Sequence, residues 1–121
     1  MGFAGLGGQY LAIDEQGDVY LAALITPPVT PPFTPPFTPG AFETSEPTGI
    51  CGGDFVAIAC PYEYVAKVDP TGSQIIYLTG LNGTYGATPG GIAVDASGNA
   101  IVAGTTYSPD FPVTADAFES L

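Results

Sequence analysis

Short apolar runs, each closed by a tight polar turn, set the rhythm of this chain. The clearest is Gly91-Ile92-Ala93-Val94, then Asp95-Ala96-Ser97-Gly98-Asn99, then Ala100-Ile101-Val102-Ala103-Gly104. Two further turns have the same form, Asp14-Glu15-Gln16-Gly17-Asp18 and Asp69-Pro70-Thr71-Gly72-Ser73. An Asp that opens such a turn accepts a hydrogen bond from backbone two residues on, and Gly takes the positive φ that closes it. A type I turn followed by a left-handed Gly is a common hairpin connection. Asp14, Gly17, Asp69, Gly72, Asp95 and Gly98 therefore predict three hairpins of one kind, an internal repeat. The runs flanking these turns, Leu11 to Ile13, Val19 to Leu24, Tyr64 to Val68, Gln74 to Thr79, and those on either side of Asp95 to Asn99, are the expected strands. Runs such as Leu11-Ala12-Ile13 and Val19-Tyr20-Leu21-Ala22-Ala23-Leu24 are almost continuously apolar. They predict strands buried on both faces, as between stacked sheets.

Two interruptions break this rhythm. The first is a tetrapeptide repeat, Thr-Pro-Pro-apolar, within residues 26–40. Proline lacks an amide donor, so neither a helix nor a central strand survives there, and polyproline II is the expected form. The tract reads as a looped-out insertion, a rigid strut, a ligand for an aromatic groove, or an O-glycosylated stalk. In the last case Thr26, Thr30, Thr34 and Thr38 are the acceptor hydroxyls. Thr38-Pro39-Gly40-Ala41-Phe42-Glu43-Thr44 parallels Thr114-Ala115-Asp116-Ala117-Phe118-Glu119-Ser120, so the tract is an expanded corner rather than a separate domain. The second interruption is a loop at 49–62 that holds both cysteines, Cys51 and Cys60, around the apolar run Phe55-Val56-Ala57-Ile58-Ala59. A Gly-rich connection, Leu81 to Gly86, carries the N-glycosylation sequon Asn82-Gly83-Thr84.

Composition narrows the class. The 121 residues suffice for one small domain, and 17 Gly with 13 Pro favour a turn-rich all-β chain. A hydrophobic fraction of 45% is too high for a disordered acidic tail. The net charge is -11, with Lys67 the sole basic residue. Such a chain repels phosphate backbones and anionic membrane surfaces, which excludes nucleic acid as a partner. The charge serves solubility, or attracts cations or a basic partner. No apolar stretch is long enough to span a bilayer as a helix. Met1 to Gly8 lack a basic region and a long apolar core, so they do not read as a signal peptide.

Candidate chemistry is sparse. The chain has no His, which removes the commonest general base and transition-metal ligand, and with it any Ser/His/Asp set. Two cysteines without His make no zinc site. They form a local disulfide, which implies an oxidising compartment, or remain two buried thiols. Asp14, Glu15 and Asp18 resemble the start of a calcium loop, but the bidentate Glu of that pattern is absent, and the structural turn accounts for all three copies. The carboxylates sit mostly in turns, away from any paired arrangement for glycoside hydrolysis. The glycines match no phosphate loop. The seven tyrosines fit inter-sheet packing, with a sugar-binding surface as the alternative. No catalytic residue, cofactor or metal is expected.

Several of these stretches resemble the SBBP β-propeller repeat of secreted bacterial and archaeal proteins. Gly91 to Asn99 match its opening strand and turn, Asp110 to Phe118 its corner, and Tyr64 to Gly72 its third strand. Ile75 to Gly83 match the last strand more loosely. The proline tract and the cysteine loop depart from the pattern. The resemblance implies antiparallel four-stranded blades, about one and a half of them in a single unit over 1–121. Residues 9–83 would form the first blade with its two insertions, and 90–121 half of a second. A closed propeller needs about 4–8 blades. The chain is then a piece of a longer propeller, a ring formed by association, or an open array joined head to tail. The expected function is non-catalytic: an extracellular or cell-surface structural protein that self-associates through blade faces and edges, as a homo-oligomer or filament. The alternative is a propeller fragment that binds a glycan or protein ligand.

Overall fold

The computed structural model describes residues 6–27, 35–53 and 55–117 of the chain, with side chains from Gln9 onward. These residues form eight strands and no helix. The strands are β1 (Leu6–Ile13), β2 (Val19–Ile25), β3 (Ile50–Gly52), β4 (Ile58–Ala59), β5 (Tyr62–Val68), β6 (Ile75–Gly80), β7 (Ala87–Val94) and β8 (Ala100–Thr106). Four of them make one antiparallel sheet in the order β1-β2-β5-β6. Strands β7 and β8 form a separate hairpin, and β3 with β4 a small ribbon.

Register decides which side chains share a face. Leu11, Leu21, Ala66 and Leu78 form one cross-strand row, and Ala12, Tyr20, Lys67 and Tyr77 the next. Neighbouring rows point to opposite faces. The Leu11 face carries the main core, built by Ala23, Ile25, Tyr62, Tyr64, Ala66 and Leu78, with Leu21 and Phe37 packed against it. The Tyr20 face buries Tyr20, Ala22, Glu63 and Val65. There β7 lies against β1, β2 and β5.

Burial on both faces, expected from the unbroken apolar runs, holds for the central strands. All of β5 from Tyr62 to Ala66 is buried, as are Tyr20, Ala22, Ala23 and Ile25 of β2. It fails at the outer strands. Leu11 and Ile13 of β1 are 67% and 68% exposed, and Ile75 and Ile76 of β6 are also exposed. Among the described residues of the proline tract, Pro35 is buried and Phe37 packs against the core.

Three further differences from the sequence reading have local causes. Strand β7 starts at Ala87 and includes Pro89, because it is an edge strand that pairs with β8 alone and slips register between Pro89 and Gly91. The cysteine loop is not irregular throughout, since β3 and β4 pair within it. In place of the expected polyproline II, the end of the proline tract makes a three-residue turn, in which the Phe37 amide donates to the Pro35 carbonyl over 2.8 Å. The rest of that expectation, residues 28–34 with Thr30 and Thr34, lies outside the described residues.

The same segment then covers a strand edge. The Thr38 hydroxyl accepts from the Leu78 amide over 3.1 Å, and the Thr38 amide donates to the Leu78 carbonyl over 3.0 Å. The Gly80 amide donates to the Glu43 carbonyl. Residues 38–43 thus occupy the outer edge of β6, which would otherwise be a template for another strand.

Candidate functional site

The three Asp turns share one geometry. The Asp14 carboxylate accepts from the amides of Gln16 and Asp18, that of Asp69 from Ser73 and Gln74, and that of Asp95 from Ser97 and Asn99. In each, the Gly amide donates back to the Asp carbonyl, and Gly17, Gly72 and Gly98 have φ of 90°, 74° and 83°. These bonds favour the ionised carboxylate. Asp69 is held below its ordinary range chiefly by the Thr71 hydroxyl, and Asp95 chiefly by the Asn99 side chain. Burial opposes ionisation of Asp14, but the amides of Asp18 and Gln16, the Tyr20 hydroxyl and Lys67 outweigh it.

Lys67 binds this first turn to the sheet. Its Nζ lies 3.2 Å from Asp18 and 3.9 Å from Asp14, and 5.2 Å from the Tyr20 ring centre. Tyr20 and then Asp18 raise its pKa to about 12, so it stays charged at physiological pH. The Tyr20 hydroxyl shares its one hydrogen between Asp14 at 3.1 Å and the Gly98 carbonyl at 3.0 Å. The turn of the first hairpin is thereby tied to the turn of the last one through Tyr20 and Gly98, 78 residues apart.

A second polar cluster lies at the other end of the sheet. Asn82 is 1% exposed. Its side-chain oxygen accepts from the Glu63 amide over 2.8 Å, and its side-chain nitrogen donates to the Glu63 carbonyl and to the Glu43 carboxylate. Glu43 also accepts from the Asn82 and Gly83 amides. The Glu63 side chain is 2% exposed and faces a cavity of about 350 Å³, lined also by Leu81, Ala87, Val102 and Phe111. Loss of hydration, and secondarily the charge on Glu43, push the Glu63 pKa up to about 7. A carboxyl so placed can hold a proton near neutral pH.

In the folded chain this network engages Asn82, the expected glycan acceptor. One hydrogen of its amide goes to the buried Glu63 carbonyl and the other to the half-buried Glu43 carboxylate. The sequon residue Thr84 has its own role: its amide and hydroxyl donate to Asp110 over 2.9 and 2.6 Å. Those bonds hold Asp110 below its ordinary pKa. Of the proline-tract threonines, Thr26 is exposed and Thr38 is engaged with β6.

Cys51 and Cys60 are joined as a disulfide, with Cα atoms 4.7 Å apart. Cys60 is buried, whereas Phe55 and Val56 at the loop tip are exposed. Among the tyrosines, Tyr20, Tyr62 and Tyr64 are buried and Tyr10 is exposed on β1, while the exposed Tyr85 and Tyr107 line one cleft of about 490 Å³ with Cys51 and Pro61. Among the described residues, no three His, Cys, Asp or Glu side chains converge as a metal site, and no helix is long and apolar enough to cross a membrane.

No family model matches the sequence, and neither a curated protein nor a solved structure matches it. The sequence reading missed Glu43 and Glu63. Glu63 carried a signal: it is a lone acid within Pro61-Tyr62-Glu63-Tyr64-Val65-Ala66, where a buried strand leaves it nowhere to go but inward. Glu43 carried none, because its partners are 39 and 40 residues away.

Proposed function

We propose that this chain is a non-catalytic structural subunit, secreted or at the cell surface, that self-associates through sheet faces and strand edges into an extracellular polymer. In this reading β1-β2-β5-β6 is one propeller-type blade, and β7-β8 is the first half of the next. The observation that carries it is the uncovered apolar side of the edge strand β1, where Leu11 and Ile13 stand about two-thirds exposed. Apolar rows of this kind, on a sheet whose other face is already covered, are interaction surfaces. Among the described residues, strands β1 and β8 each pair on one side only. The disulfide supports an oxidising compartment.

Light scattering and negative-stain microscopy of the purified, oxidised protein test the reading. A concentration-dependent, large species is the expected result, and a strict monomer at high concentration overturns it. A second reading, a binding module for a glycan or protein ligand, rests on a cleft of about 440 Å³ lined by Phe42, Glu46, Thr48 and Asp110. Binding of soluble oligosaccharides by a monomer would favour it.

A further inference from the structure

The chain contains both halves of one interface, and only one pair of those halves meets within the molecule. Superposing the two hairpins on Asp14 and Asp95 pairs Leu11 with Ile92, Ile13 with Val94, Val19 with Ala100 and Leu21 with Val102. On the opposite faces it pairs Ala12 with Ala93, Tyr20 with Ile101 and Ala22 with Ala103. In the last hairpin the first set points inward, onto the Tyr20 and Ala22 face of the large sheet, with Ile92, Val94, Ala100 and Val102 all partly covered. The second set, Ala93, Ile101 and Ala103, points outward and is exposed, Ile101 to 57%.

The first hairpin shows the reverse. Its Tyr20 and Ala22 are buried on the side where the last hairpin packs, whereas Leu11 and Ile13 of β1 are open, although Leu21, Ala23 and Ile25 of β2 on that same face pack into the chain's own core. One open surface therefore corresponds to the docking side of the internal contact, and the other to the receiving side. Neither set of exposed residues carries a charge, on a chain whose net charge is -11. That leaves a neutral contact patch on each side of an otherwise repulsive molecule.

Resting on the self-association proposed above, we infer that a second copy docks its β1-β2 face, through Leu11 and Ile13, onto the outward β7-β8 face of the first, at Ala93, Ile101 and Ala103. The contact repeats the internal one with one change. Ile101 stands where Tyr20 stands, so the hydroxyl bond to a Gly carbonyl in the facing turn is replaced by apolar packing. Docking and receiving patches are different surfaces, so each added copy leaves one of each free, and growth proceeds head to tail.

The test uses the full chain and two variants, Leu11→Glu and Ile101→Glu, in sedimentation velocity over a concentration series. An unpaired carboxylate in the contact weakens it by at least about tenfold. Each variant alone is expected to sediment as a monomer. An equimolar mixture is expected to give a dimer and nothing larger, because each partner supplies the one patch the other retains. The mixture also guards against misfolding, since an unfolded variant rescues nothing. Wild-type protein that associates while both variants associate equally well overturns this interface and leaves the broader reading standing. Association lost in both variants without a dimer on mixing, while circular dichroism shows both folded, also overturns it. A wild-type monomer overturns both.

Discussion

Replacing Glu63 with Gln tests whether the space between the two sheets holds a neutral carboxyl. Glu63 is 2% exposed, and burial with the neighbouring Glu43 charge raises its pKa from 4.5 to about 7. Between those two pH values the folded chain keeps a proton that the unfolded chain has released. Stability contributed by the protonated acid is fully present below pH 4.5 and is lost as pH rises towards 7. The slope is at most about 1.4 kcal/mol per pH unit, which over this interval sets a ceiling of about 3 kcal/mol. Above the folded pKa the loss is complete and the dependence flattens. Gln cannot titrate, so the variant lacks this slope. Urea unfolding followed by far-ultraviolet circular dichroism, at pH values from about 4 to about 9, measures both proteins. The Gln variant is expected to gain on the wild type from pH 4.5 to 7 and to hold a constant difference outside that window. A fixed offset, from the amide replacing the acid, leaves the slope untouched. Parallel stability curves for the two proteins would refute the argument. The turn carboxylates do not blur the result. Asp14, Asp69, Asp95 and Asp110 have pKa values lowered from 3.8, so their contribution is lost only as pH falls below that value.

Three other substitutions probe separate parts of the fold. Cys51→Ser with Cys60→Ser opens a short loop and is expected to cost about 2.5 kcal/mol in the chain-entropy model, read by the same urea titration with oxidised wild type as reference. Asn82→Ala leaves the buried Glu63 amide and carbonyl without their side-chain partner, each worth about 1–3 kcal/mol, so a loss of under about 1 kcal/mol would contradict the network. Gly72→Ala meets no atom within 4 Å but must keep φ near 74°, so its cost is conformational, about 1–2 kcal/mol in thermal unfolding.

The hairpins were legible because their signals are local. Asp95 and Gly98 sit inside one turn, and the apolar runs on either side announce the strands without reference to distant residues. The four-stranded antiparallel sheet β1-β2-β5-β6 was expected only from the resemblance to a repeat, since the turns alone do not say that β2 pairs with β5 across the two insertions. The polar cluster was not legible. Asn82-Gly83-Thr84 is a three-residue pattern whose fate is decided by Glu63, 19 residues away, and by Glu43, 39 residues away. The outer faces of β1 and β8 were misjudged for a related reason. Leu11 and Ile101 look as apolar as Leu21 and Val102, and a run of apolar residues does not say which of its faces the rest of the chain covers. Strands β3 and β4 are three and two residues long, too short to carry a period at all.

Lys67 has a practical bearing beyond its ion pairs. It is the single Lys or Arg of the chain, and it lies in β5, paired on one side with Tyr20 and on the other with Tyr77. A trypsin-like protease cuts after Lys or Arg and needs several residues of extended, unpaired backbone to do so. The bond after Lys67 offers that only when the central sheet has come apart. The folded molecule is therefore closed to this whole class of proteases, and any cut at Lys67 records the opening of its core.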